Sequence, residues 1–360
     1  MRVLIAGGGT GGHLFPALAV ARALKKETSG TEVLFVGTEH GLEAKIIPTT
    51  EFSIRFITAR GIRGVRLMNV LRAVLEVPRG IVESLSILRD FRPHVVFGVG
   101  GYASGSTVLA ALLMRIPTAI QEQNSVMGTT NRVLSKLVDR VFISWEKTEP
   151  YPPQAKTMLT GNPIRGDLME PAQPETEKER LHVLVFGGSQ GAQSINAAIT
   201  NSLDRLKPLA DRIALIHQTG RGRVEETLRA YAKAGINADV REFIDNMGAV
   251  YHWADLVVCR AGASSLAEIT ALGKPAIVTP YPYAIGDHQA RNAAVLEAQG
   301  AVRVIPDSRL KNGALVHEIT DLASNPEQLA QMAANSRKLG RPEAARTIAK
   351  ELLRMAGSRA

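Results

Sequence analysis

Cysteine is nearly absent. The 360 residues hold one, Cys259, so no intrachain disulfide can form, which fits a reducing compartment. Aromatic residues make up only 5% of the chain. No recognisable nucleic-acid module accompanies the basic charge, and a nucleic-acid partner is not expected. There is no Asp-x-Asp pair to hold a divalent ion on a diphosphate, and the eight histidines are scattered, so no metal site and no cofactor are expected. The opening MRVLIAGGGT has too short an apolar run for a secretory signal. Residues 93–114 lack Asp, Glu, Lys and Arg and are numerous enough to cross a bilayer. Gly98, Gly100, Gly101 and Gly105, with Ser104, Ser106 and Thr107, interrupt that run. It reads as a buried strand, a glycine loop and a helix.

What is present suits a soluble globular protein: 45% hydrophobic and 21% charged residues, in a chain long enough for two cores. The net charge of +9 is unevenly spread. Between residues 55 and 92 lie eight arginines against Glu76, Glu83 and Asp90, so +5 of it sits there. An anionic partner is expected, whether lipid or phosphorylated substrate. Residues 60–79, from Arg60 to Arg79, place Leu67, Leu71 and Val74 at helical spacing, flanked by Arg66 and Arg72. That pattern fits a helix on an anionic membrane surface, or an ordinary helix with its apolar stripe in the core.

Short strand-like runs alternate with helical patterns: residues 2–6, 32–36, 53–58, 94–97, 118–120 and 140–143 read as strands. Residues 16–26 and 131–137 read as helices between them. The alternation predicts parallel sheets covered by helices. The pattern pauses over 145–162, an irregular stretch. A second series follows, with strands at 213–217, 238–242, 255–259, 276–279 and 301–305. MRVLIAGGGTGG at the start is echoed by LHVLVFGGSQGA from Leu181, which argues for two similar halves. The boundary falls near residues 162–165, giving domains 1–162 and 163–340. The last helix is expected at 343–355, and the sequence does not say which domain it joins.

Three glycine loops end strands: Gly7 to His13, Gly98 to Tyr102, and Gly187 to Gly191, the last with Ser189 and Gln190 as side-chain donors. Such loops let backbone amides approach an anion at a helix N-terminus. Gly7, Gly9 and Gly12 also satisfy a dinucleotide fingerprint, with Glu39 near the place of its acidic residue. A nicotinamide-dependent oxidoreductase therefore stays open at this point, as does a purely packing role for the glycines. Two facing strand-end edges would form a cleft suited to joining two substrates.

Several side chains stand near these loops. His13 begins a helix, where it is either a general base of lowered pKa or a loop hydrogen-bonder. Arg165, in GNPIR, is either a diphosphate clamp or a surface arginine. In the run from Cys259 to Glu268, Ser265 and Glu268 fit a capping box, while Glu268 equally suits ribose hydroxyls. Residues 286–292, with Asp287 and Gln289, open a further helix that is either functional or simply capped.

In order and spacing, GGGTGGHLFPALAVA, ARGIRG, GVGGYASG, QEQNSVMGTTN, TGNPIR, GGSQGA, EFIDNM, CRAGASSLAE and DHQARNA closely resemble the MurG family, over nearly the whole chain. That family adds N-acetylglucosamine to undecaprenyl-pyrophosphoryl-N-acetylmuramyl-pentapeptide in peptidoglycan synthesis. The resemblance implies a GT-B fold with two Rossmann-like parallel-sheet domains facing across a cleft. It implies a UDP-N-acetylglucosamine donor and metal-independent, inverting transfer to the acceptor's C4 hydroxyl. It implies donor contacts by Thr10, Gly11, Gly12, Asn124, Arg165, Ser189, Gln190, Ile244, Arg260, Ala263, Glu268 and Gln289. Ile244 would meet the uracil and Glu268 the ribose, while Arg260 and the helix start at Ala263 would help hold the diphosphate. The resemblance makes His13 the leading candidate for the general base. The lipid-linked acceptor strengthens the membrane reading of residues 60–79, on the cytoplasmic face. The C-terminal helix, within 341–360, is implied to join the first domain. Family members commonly carry His where this chain has Gln121, so no catalytic role is expected there. They often carry Leu-Thr where it has Ser264 and Ser265.

Overall fold

The computed structural model describes residues 1–59, 67–169, 180–188 and 191–357, and for 67–76 and Ile285 the backbone alone. It divides into two compact units, Met1–Arg165 with Glu343–Ala360, and Gly166–Pro342.

The first unit begins β1 (Arg2–Ala6), α1 (Gly11–Glu27), β2 (Glu32–Gly37), the short α2 (Glu43–Ile46), β3 (Ser53–Phe56) and α3 (Leu67–Phe91). It continues with β4 (Val95–Gly98), α4 (Tyr102–Leu113), β5 (Thr118–Glu122), α5 (Thr129–Leu134), β6 (Arg140–Ile143) and β7 (Thr157–Leu159). Among the described residues the sheet runs β3-β2-β1-β4-β5-β6-β7, with every neighbouring pair parallel. Strand order reverses between β1 and β4, the kind of switch point at which open α/β sheets bind ligands. β1 shows why these runs become strands. Val3 and Ile5 enter one core, Leu4 and Ala6 the opposite one, and all four are fully buried. A strand covered on both faces reads as a continuous apolar run.

Residues 93–114 divide into β4, the Gly100–Gly101 turn and α4. No helix among the described residues is long and apolar enough to cross a membrane. Two local expectations need correction. The stretch 145–162 is not wholly irregular, because β7 forms within it as an edge strand on β6. Three residues are too few for an alternating pattern to register. The helix expected over 131–137 ends at Leu134, and tighter turns continue it, with Leu137 N–H bonded to Leu134 O at 2.8 Å.

The second unit contains β8 (Leu181–Phe186), α6 (Gln193–Thr200), β9 (Ile213–Gln218), α7 (Val224–Ala234), β10 (Ala238–Arg241), α8 (Met247–Trp253) and β11 (Leu256–Arg260). α9 (Ala263–Leu272), β12 (Ala276–Thr279), α10 (His288–Glu297), β13 (Val302–Val304), α11 (Ala314–Ser324) and α12 (Pro326–Leu339) complete it. Its described strands form a second parallel sheet, β10-β9-β8-β11-β12-β13. Here the order reverses between β8 and β11.

The last helix, α13 (Ala344–Gly357), belongs to the first unit and packs on α1. Ile348, Leu352 and Met355 form the apolar stripe of an amphipathic helix, buried in the same core as Leu14, Leu18 and Ala21. Arg346 pairs with Glu27 of α1, and Glu351 with Arg140 of β6, each at 2.7 Å.

Candidate active site

At the switch point of the first sheet, two glycine loops lie back to back. The loop after β1 holds Gly7, Gly8 and Gly9, and the loop after β4 holds Gly100 and Gly101, all at positive φ. A Cβ on Gly7 would stand 2.4 Å from the Gly100 carbonyl oxygen, and one on Gly101 would stand 2.7 Å from that of Gly8. Only glycine permits this approach of backbone to backbone.

Thr10 precedes α1 without a side-chain cap, and Thr10 and Gly12 are exposed. His13 is half-buried in the first turn, and its Nδ1 lies 3.2 Å from the Gly8 carbonyl oxygen. A carbonyl only accepts, so Nδ1 carries the proton and Nε2 is the basic atom. Burial lowers the imidazole's pKa, partly opposed by the Gly8 bond and by the charges of Glu122 and Glu43. The direction agrees with the expectation from the helix N-terminus, but desolvation is the main cause.

Glu43, which no motif marks, is buried beside the first loop and accepts the Gly9 N–H at 2.6 Å. The acidic residue at this loop is therefore Glu43 rather than Glu39. Its carboxylate occupies an amide that the dinucleotide reading needs for a phosphate.

Glu122, at the end of β5, orders the next loop. Its carboxylate accepts from the backbone N–H (3.0 Å) and Nδ2 (3.2 Å) of Asn124, the Gly128 N–H (3.1 Å) and Asn131 Nδ2 (2.9 Å). Gln121 is buried and donates to Asn162 Oδ1 at 3.2 Å, a bridge inside the core. Arg165, the last residue before the second unit, holds its guanidinium 6.0 Å from the Phe15 ring of α1.

The second unit carries a cavity of about 600 Å³ at its own switch point. The loop after β8, the loop after β11 and the start of α10 line it through Gly187, Gly191, Arg260, Gly262, Ser265 and Gln289. Arg260 is held from several sides. It donates to Asp307 Oδ1 at 2.6 Å, to Ser194 Oγ at 2.7 Å and to the Thr279 and Pro280 carbonyls, and it lies 5.4 Å from the Tyr281 ring. Gln289 Oε1 accepts the Tyr281 N–H at 2.9 Å. Two expected donor residues, Arg260 and Gln289, thus meet at one cavity. Ile244 is buried in the segment after β10, and neither it, Ala263 nor Glu268 is among the cavity-lining residues. Ser189 and Gln190 lie outside the described residues.

Both halves match glycosyltransferase family models. Residues 3–143 match the family 28 N-terminal domain and residues 182–351 the family 28 C-terminal domain. The chain is 46% identical over 357 residues to a UDP-N-acetylglucosamine–N-acetylmuramyl-(pentapeptide) pyrophosphoryl-undecaprenol N-acetylglucosamine transferase of Geobacter sulfurreducens, covering 98% of each chain. The transferase of that name from Myxococcus xanthus is 46% identical over 350 residues, covering 97% of this chain and 91% of the relative. The crystal structure of Acinetobacter baumannii MurG superposes with a TM-score of 0.82 at 30% identity, covering 98% of this chain and 99% of that one. The chain belongs to the MurG family. It is a family 28 hexosyltransferase with the GT-B fold. A Neisseria meningitidis UDP-GlcNAc 2-epimerase, at TM-score 0.67 and 19% identity, shares the fold alone.

Against that membership, one local reading falls. Ser265 and Glu268 form no capping box, because α9 starts at Ala263 with Gly262 as its cap. Ser265 is already inside the helix, and Glu268 Oε2 accepts the Tyr251 hydroxyl at 3.0 Å. Asp287, before α10, makes no side-chain cap bond either. Of the basic stretch, Arg60, Arg63 and Arg66 lie outside the described residues, as do the side chains of Leu67, Leu71, Arg72 and Val74. Further along α3, Arg79 pairs with Glu83 at 2.9 Å, and Val77 and Val82 are exposed. Glu43, Ser194, Tyr251 and Asp307 escaped sequence reading because each acts through a partner distant in the chain.

Proposed function

We propose that this enzyme transfers N-acetylglucosamine from UDP-N-acetylglucosamine to the C4 hydroxyl of undecaprenyl-pyrophosphoryl-N-acetylmuramyl-pentapeptide. The observation that carries this reading is near-full-length identity of 46% to transferases named for that reaction. The site chemistry supports it. The first unit offers a histidine whose Nε2 is basic, and the second offers a cavity at a switch point with Arg260 and Gln289 on its wall, suited to a sugar nucleotide. In the reaction, His13 Nε2 takes the C4 hydroxyl proton as that oxygen attacks the anomeric carbon of the donor. The bond from that carbon to the diphosphate oxygen breaks, the configuration inverts and UDP leaves.

The first unit, with α13, takes the acceptor, and the second carries most of the donor contacts. Donor contacts come from Thr10, Gly11, Gly12, Asn124, Arg165, Ser189, Gln190, Ile244, Arg260, Ala263, Glu268 and Gln289, with uracil at Ile244 and ribose at Glu268. The enzyme works at the cytoplasmic face of the membrane as a peripheral protein, through residues 60–79. The +5 charge excess over 55–92 and the exposed Val77 and Val82 of α3 support that placement.

The test is UDP release by the purified enzyme, given donor with and without the prenyl-diphosphate muramyl acceptor. Acceptor-dependent UDP release with a disaccharide product is expected. No release with the pair, or conversion of donor without acceptor, would overturn the reading. For the membrane contact, Arg66→Ala with Arg72→Ala should weaken binding to vesicles containing anionic lipid, and unchanged binding would exclude it.

A further inference from the structure

The first glycine loop has a built-in anion. Glu43 is 1% exposed, and among the described residues no Lys, Arg or His pairs with it. Its Oε2 accepts the Gly9 N–H at 2.6 Å, and its Oε1 accepts the Thr38 N–H at 2.9 Å and the Thr38 hydroxyl at 3.0 Å. The surrounding glycines make room for this carboxylate. A Cβ on Gly8, Gly37 or Gly41 would stand 2.3, 2.4 or 2.1 Å from Glu43 side-chain atoms. Part of the glycine run is thus explained by an internal carboxylate rather than by an external phosphate. A second anion at Gly9 would meet a buried negative charge and find the amide taken.

The Gly9 N–H and the Gly8 carbonyl belong to one peptide unit. That unit is trans, so its N–H and C=O point in opposite directions from a single rigid plane. The N–H faces Glu43 and the carbonyl faces His13 Nδ1, 3.2 Å away. Both glycines have positive φ, where no Cβ restrains the backbone, so the Glu43 bond on the N–H adds to the packing of Gly101 in fixing the plane. We propose that Glu43 is a positioning residue for His13: it clamps the Gly8–Gly9 peptide plane, which holds the imidazole with Nδ1 protonated and Nε2 as the basic atom. The catalytic meaning of this clamp rests on the reading of His13 as the base. Two carboxylates, Glu122 on β5 and Glu43 on α2, act on the imidazole through their charge, so removing Glu43 also removes support for the imidazolium.

Nitrogen-15 NMR of histidine side chains in the full chain, with His13→Gln to assign the signal, reads the tautomer directly. The Nδ1–H form is expected in the native protein, and a dominant Nε2–H form would overturn the proposal. In Glu43→Ala and Glu43→Gln the signal should move toward a tautomer mixture. Turnover should fall about 10- to 100-fold, with the KM for UDP-N-acetylglucosamine within about twofold of native. Should Glu43→Ala fail to fold, Glu43→Gln keeps the volume and its tautomer and turnover decide the matter. A native tautomer and native turnover in Glu43→Gln and Glu43→Ala, beside an inactive His13→Gln, would remove Glu43 and leave His13 as base. Full turnover in His13→Gln would remove the base instead, and the tautomer would still report whether Glu43 positions the ring.

Discussion

Arg260 and Asp307 form a 2.6 Å ion pair on the wall of the second unit's cavity, and both side chains are mostly buried. Ser194 closes the arrangement, donating to Asp307 at 2.7 Å while accepting from Arg260. The guanidinium that the resemblance assigns to the diphosphate therefore also ties the ends of β11 and β12 to α6 and to the segment after β13. A double-mutant cycle on Arg260→Ala and Asp307→Ala should show a coupling of about 1–3 kcal/mol by denaturant unfolding. Arg260→Lys should recover little of it, because an ammonium cannot reach several acceptors in one plane. Additive effects would mean that the pair is not a stabilising contact.

Ser265 and Glu268 separate a capping role from a binding role. A true N-cap would cost about 1 kcal/mol on truncation. Ser265 lies inside α9 and caps nothing, so Ser265→Ala should leave the melting temperature unchanged. Glu268→Ala should chiefly weaken UDP-N-acetylglucosamine binding, by about tenfold or more if its carboxylate meets two ribose hydroxyls. Isothermal titration of the donor decides it. A large thermal loss with native donor affinity would assign Glu268 to stability through Tyr251.

His217 makes the second unit sensitive to acid. It is fully buried on β9, between the Tyr231 hydroxyl at 3.0 Å and Asn196 Oδ1 at 3.2 Å, and burial pushes its pKa down to about 4. An unfolded histidine titrates near 6.5. As pH falls through about 6.5 the unfolded chain gains a proton that the folded one refuses, so stability declines until about pH 4. The loss across that window is about 3 kcal/mol for this one group. Urea unfolding of native and His217→Gln chains between pH 7 and pH 4 should give a shallower pH slope in the variant. Parallel slopes would contradict the assignment.

α13 should be needed for the first unit's stability. Leu352 is fully exposed to no solvent and sits in the same core as Leu14 and Leu18. Leu352→Ala should cost about 2–5 kcal/mol by denaturant unfolding, and less than 1 kcal/mol would mean that the helix contributes little. Glu351 adds a pH term. Its carboxyl is held below the usual range by Arg354 first and by Arg140, so its contribution is present above the ordinary carboxylate range and fades as pH falls through the lowered value.

The sequence by itself determined the two α/β halves, the strand-end glycine loops and nearly all the strands. These follow from apolar periodicity and from glycine spacing, which are local properties of the chain. β7 escaped because three residues carry no period, and the capping box misled because the motif S-x-x-E recurs wherever a helix has those residues, whether or not it starts there. The tertiary structure alone decided what the loops hold. Glu43 reaches Gly9 across 34 positions, Arg260 reaches Asp307 across 47, and Arg346 of α13 reaches Glu27 across 319. Such partners are set by the order in which parallel strands assemble, and strand order is not written in any local pattern. For this reason the resemblance could offer His13 as the candidate base, while only the fold places its Nδ1 against the Gly8 carbonyl and the Glu43 carboxylate on the N–H of the same peptide unit.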